Sequence, residues 1–211
     1  MSKTKEGKMV KMSSINGDDY LQMIVDAWDV QNKNRYNVFQ KVLEDCEKCS
    51  DPLCILACAY ACHFLKVEYR KMAINYFEKY LLNPTPSTVT SFPLNVIYAA
   101  IGSDCEAELD FHKAEKYYKL AITTHPNRKV DMFGQYHIFP PEIMLGRLYL
   151  KIDTQKALNY WEALMEYPEY KNGNKARAGF RRSVDVEYQT ALEKHKKGYT
   201  YRPRKKTQNK V

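Results

Sequence analysis

No stretch of this chain reaches the 18 or so uninterrupted apolar residues that a membrane span requires. Met1 to Met12 is lysine-rich with no apolar stretch after it, so the pattern of a secretory leader is missing. Acid is missing altogether from Lys194 to Val211. Those residues carry six lysines and two arginines, and the whole net charge of +8 sits there, because the other 193 residues balance 25 basic against 25 acidic side chains. Phosphate loops, H-E-x-x-H, nucleophile elbows and paired acids are all absent. These absences predict a soluble, cytoplasmic (intracellular) protein that makes no membrane contact, carries no cofactor and is not an enzyme.

What is present suits a core. At 211 residues, 45% hydrophobic and 13% aromatic, the chain matches one compact domain or one short helical stack. Its five histidines, His63, His112, His125, His137 and His195, fall in different segments with no shared carboxylate spacing, which argues against a general base. Six cysteines stand at 46, 49, 54, 58, 62 and 105. Cys46 and Cys49 form a C-x-x-C, and with Cys54, Cys58 and Cys62 behind them they supply enough thiols for zinc or an iron–sulfur group. Against that, Cys54, Cys58 and Cys62 share an i, i+4 helix face with alanines, where thiols serve as small packing groups, and no second C-x-x-C follows. The expectation is reduced cysteines and no metal.

One unit recurs. Between Asn95 and Pro126, Gly102 and Ala114 are the small residues where two helices of a hairpin cross, and Tyr118 fills the space beside the crossing. Ala61, Ala73 and Phe77 repeat the spacing upstream; Gly146, Ala157 and Trp161 repeat it downstream. Ala73, Ala114 and Ala157 are 41 and 43 residues apart, a period that means stacked helical hairpins.

In these residues the chain resembles the tetratricopeptide repeat family, whose usual period is about 34 residues. The likeness runs from Cys54 to Pro168, with Ala57 and Tyr98 where the family opens its helix with Trp, and with connectors at 85–92 and 127–140 lengthening the period. The resemblance implies an all-α fold, a short alpha-solenoid of about four antiparallel hairpins plus a C-terminal capping helix. Polar composition at the start and basic charge at the end divide the chain into a disordered segment 1–16, a repeat domain 17–197 and a basic tail 198–211.

Start and stop signals place the elements. Asn16, Asp18 or Asp19 caps a helix to about Gln31, and a second runs from about Asn34 to Lys48. Ser50-Asp51-Pro52 opens a helix to about Leu65, with its partner from Glu68 to Leu82. Further hairpins open at Ser91-Phe92-Pro93 and at Pro140-Pro141, and Pro168 stops the last of them. The final helix, about Lys175 to Lys196, has a stripe of Ala178, Val184, Tyr188, Ala191 and Leu192, with Arg177, Arg181, Arg182, Asp185 and Glu187 on the opposite face. Tyr199 and Tyr201 then run free with the basic residues.

The expected function is a noncatalytic adaptor or scaffold that binds a protein. The resemblance implies a concave groove lined by the first helix of each pair: Ile55, Cys58, Cys62, Leu65 and Lys66, then Val96, Ala99, Ser103 and Glu106, then Ile143, Arg147, Leu150 and Lys151. The apolar run 130–139, with Phe133, Tyr136 and Phe139, is a second candidate contact. A nucleic-acid partner is the alternative, bound by Lys196, Lys197, Arg202, Arg204, Lys205 and Lys206 with aromatic rings interleaved. The oligomeric state is left open.

Overall fold

The computed structural model describes residues 16–29, 34–89, 92–124, 140–171 and 178–202. All of the regular structure in these residues is helical. In chain order the helices are α1 (Gly17–Asp29), α2 (Arg35–Cys46), α3 (Pro52–Phe64), α4 (Arg70–Leu81, entered by a 3-10 turn at Val67–Tyr69), α5 (Leu94–Ala107) and α6 (Phe111–Thr123). Then come α7 (Pro141–Ile152), α8 (Thr154–Met165), the short α9 (Pro168–Lys171) and α10 (Ala178–Lys196). Pro168 therefore opens a further turn of helix instead of only ending one, as proline at a first helical position does.

The caps explain the starts. Asn16 and Asp19 close a reciprocal box at α1, each side chain accepting the other's backbone N–H at 3.0 and 2.9 Å. Asp51 accepts from Leu53 N–H with Pro52 behind it, Asp110 from Lys113 N–H, and Asp153 from Gln155 and Lys156 N–H.

Consecutive helices pair as α1/α2, α3/α4, α5/α6 and α7/α8, and α10 lies on α8 and α7 at the end of the stack. The small-to-aromatic spacing is the crossing device. A Cβ on Gly102 would stand 2.5 Å from the Tyr118 ring, and one on Gly146 would stand 2.0 Å from Trp161. Both rings are fully buried, as is Phe77, their counterpart in the α3/α4 hairpin. Neighbouring hairpins are then joined by polar links whose sequence separation follows the repeat. Tyr117 donates to Glu78 at 2.7 Å across 39 residues, Tyr149 to Glu115 at 2.9 Å across 34, and Arg147 to Glu187 at 2.7 Å across 40. Glu187 thus faces α7, and the expectation that it lies on the outer face of α10 is corrected.

The inserted connector is also packed. Asp18 at the start of α1 accepts from Ser87 Oγ at 2.5 Å and from Thr88 Oγ1 at 2.7 Å. Phe92 lies 4.2 Å from the ring of Tyr60. Trp28 of α1 and Phe39 of α2 meet Phe64 at 4.4 and 5.5 Å. Helix α3 is consequently enclosed by α1, α2, α4 and Phe92, and every residue from Cys54 to His63 is buried. Its sequence is apolar on all sides, as an enclosed helix must be.

Candidate functional site

Enclosure of α3 changes the groove. Cys58 and Cys62 are fully buried beneath the first hairpin, with Ile55 nearly so, and Ala99 is buried on α5. None of them is presented to a partner, which corrects the expectation: α1 and α2 cover the α3 residues, while Ala99 lies on α5, which packs on α4, α6 and α7. Val96, Ile143 and Leu150 are buried as well. Of the expected groove residues, Lys66 is exposed and Leu65, Ser103, Glu106, Arg147 and Lys151 are half-buried. Three of these charges hold the stack together: Lys151 pairs with Glu106, which also accepts from Tyr118 Oη at 2.7 Å, and Arg147 pairs with Glu187. Phe133, Tyr136 and Phe139 lie outside the described residues, as do Arg204, Lys205 and Lys206.

The C-terminal ends of α3, α5 and α7 gather along one edge. His63 Nδ1 of α3 lies 2.9 Å from the carboxylate of Asp104 on α5, which Arg70 of α4 also grips. The Lys151–Glu106 pair makes the next link, from α7 to α5. Asp104 is completely buried, so removing either partner leaves a desolvated charge short of a donor. An Asp–His pair also orients catalytic imidazoles. Here the ring stands among Tyr60, Phe64 and Phe77, and no hydroxyl or thiol nucleophile is bonded to it among the described residues. Sequence reading missed this pair, although its 41-residue separation equals the repeat step.

At this same edge the α3/α4, α5/α6 and α7/α8 hairpins each expose an aliphatic side chain at or beside the turn. Val67 is 54% exposed in the α3–α4 turn, Leu109 44% in the α5–α6 turn and Ile152 44% in the α7–α8 turn. The middle one is in a costly conformation. Asp110 N–H bonds to Cys105 C=O at 2.9 Å and Leu109 N–H to Glu106 C=O at 3.0 Å, the two bonds of a Schellman turn. Leu109 occupies its left-handed position at φ +66°, where glycine is the usual residue.

The same turn recurs after α10, with Gly198 at φ +61°, Tyr199 N–H on Lys194 C=O and Gly198 N–H on His195 C=O, both at 3.0 Å. It sends the chain back, and Tyr201 meets Phe111 edge-on at 5.9 Å with Lys151 Nζ 5.6 Å from its ring centre. Tyr199 lies under Lys194 at 4.7 Å. The expectation that these tyrosines run free is therefore corrected. Lys196, Lys197 and Arg202 are exposed; Lys196 and Arg202 enter no ion pair among the described residues, and Lys197 is 3.9 Å from Glu193.

Five of the six cysteines are buried packing groups; the hydrogen bond with Cys46 lowers the Cys58 thiol, and in four others ionisation is suppressed. Burial pushes the thiols of Cys54, Cys62 and Cys105 up to about 12. A hydrogen bond to Cys58, together with burial, raises that of Cys46. Thiolate is the form that ligates and reacts, so the surroundings of Cys46, Cys54, Cys62 and Cys105 oppose both. Among the described residues no group of three or more Cys, His, Asp or Glu is arranged to hold a metal ion, and no helix is long and apolar enough to cross a membrane.

No protein family matches the chain, and no curated protein or solved structure matches it.

Proposed function

We propose that this chain is a noncatalytic interaction module, a tetratricopeptide-like scaffold that holds a protein partner along the edge where its hairpin turns stack. The observation that carries the reading is Leu109. The α5–α6 turn needs glycine-like backbone at this position and carries an exposed leucine instead, at a conformational cost of about 1 kcal/mol. Strain kept at an exposed apolar side chain is a sign of use. Val67 and Ile152 extend the same character to the hairpins on either side, giving one contact point on each of these three hairpins. The groove interior lends less support, because its apolar members other than Leu65 are buried and Glu106, Arg147 and Lys151 are held in ion pairs within the stack.

The test is affinity capture from the source cells with the Val67→Asp/Leu109→Asp/Ile152→Asp variant beside a Lys79→Asp control. With helicity unchanged in both, the triple variant loses the partners that the control and the parent retain. Retention of the same partners by the triple variant refutes the reading.

A second reading has its own observation in Lys196 and Arg202, cations exposed and outside any ion pair among the described residues. It makes the C-terminal end a contact for nucleic-acid phosphates.

A further inference from the structure

We infer that the face formed by Phe111, Lys151 and the α5–α6 turn is a docking site for an extended, tyrosine-bearing basic segment, and that the chain's own Tyr199–Arg202 occupies it. The argument begins at Gly198, whose left-handed backbone ends α10 and turns the chain toward the stack. Three residues later Tyr201 lies half-buried with its ring against Phe111. The cation beside the ring is fixed in place: Lys151 is anchored by Glu106, which is itself held by the Tyr118 hydroxyl. A ring edge and a positioned ammonium together recognise an aromatic side chain by quadrupole and shape.

Charge favours the same class of segment. The α5–α6 turn places Glu108 and the α6 cap Asp110 just before Phe111, and the segment that meets Phe111 continues as Arg202 with no acid after it in the sequence. Tyr201 also reaches from the end of the stack across Lys151 of α7 to Phe111 of α6, beyond the α7 and α8 helices on which α10 itself lies.

One half-buried ring is a weak contact. What holds it is the tether, since a short connection gives an effective concentration of about millimolar. A contact of that kind is exchangeable, and an equivalent segment presented in trans competes for it. The inference rests on the contacts of Tyr201 and stands whether or not a protein partner binds the aliphatic row.

The experiment uses the full-length chain carrying Tyr201→Ala, labelled with ¹⁵N, titrated with a free peptide of residues 198–211. Amide shifts that saturate at residues 106–113 and at Lys151 are expected, with a midpoint at least about fivefold lower in peptide concentration than for the parent chain, whose site is filled by its own tether. A peptide with alanine in place of Tyr201 is expected to bind at least about tenfold more weakly. The inference is overturned by an absence of shifts up to about 1 mM peptide, by equal titration of parent and variant, by equal binding of the two peptides, or by shifts confined to other surfaces.

Discussion

Leu109 and Gly198 hold the same position in two copies of one turn, each following a helix C-cap in left-handed backbone, at φ +66° and +61°. The bonding around them is the same, a 6→1 and a 5→2 link closing α5 and α10. One site carries the residue the backbone prefers and the other does not.

Replacing Leu109 by glycine therefore stabilises the fold by up to about 0.5 kcal/mol, the relief of left-handed strain less the extra entropy of an unfolded glycine. Chemical denaturation of parent and variant measures it. The same change weakens partner binding, and a variant that loses stability shows that the leucine packs more than it strains.

The two crossing glycines are expected to behave in the opposite way. Alanine at Gly146 or Gly102 drives a Cβ into a buried ring that has no room to swing, costing about 1–3 kcal/mol despite alanine's better helix propensity, with Gly146 the worse. Gly179 in α10 has nothing within 4 Å of an added Cβ and serves as the control. Gly179→Ala gains up to about 1 kcal/mol. Equal effects at all three positions in thermal melts refute the crossing geometry.

Glu115 makes one part of the stability acid-sensitive. Burial opposes its ionisation, but hydrogen bonds from Lys119, Lys156 and Tyr149 outweigh burial and hold its carboxyl down at about 2 against an ordinary 4.5. A depressed carboxylate contributes stability that is full above the unfolded value and is lost as pH falls from about 4.5 toward 2. Both lysines are well exposed, so the share lost by pH 3 is about 1 kcal/mol after screening. Urea midpoints at pH 5 and pH 3 should differ less for Glu115→Gln than for the parent. An identical pH response in the two proteins contradicts the assignment.

If the C-terminal cations meet nucleic acid, glutamine at Lys196, Lys197 and Arg202 lowers the salt slope of binding by about 2–3, at about 0.7–0.9 per phosphate contact. Fluorescence titrations across a range of salt read that slope. A slope that stays unchanged places phosphate contacts elsewhere, and no binding by the parent chain removes the nucleic-acid reading.

The helical stack was legible because its signals are local. Gly102 with Tyr118 and Gly146 with Trp161 are one hairpin apart, and the capping residues Asp51, Asp110 and Asp153 stand beside the helices they start. The candidate site was less so. Burial of Cys58 and Cys62 depends on where the first hairpin lands, although an α3 apolar on every side already pointed to enclosure. The His63–Asp104 link and the seating of Tyr201 on Phe111 join distant segments through tertiary geometry, and side-chain spacing within one segment carries no trace of either. Leu109 could be found only from its backbone, since leucine by itself signals a core residue.

In stacked repeats the outermost units ordinarily open first, because each has a neighbour on one side alone. Here both ends are strapped inward. Asp18 ties α1 to Ser87 and Thr88 beyond the second hairpin, and Tyr201 ties the segment after α10 to α6. Fraying at the N-terminal end must first break hydrogen bonds made beyond the second hairpin, whereas the ring contact at the other end is a lighter restraint, so amide-exchange protection falls off less steeply toward α1 than toward α10.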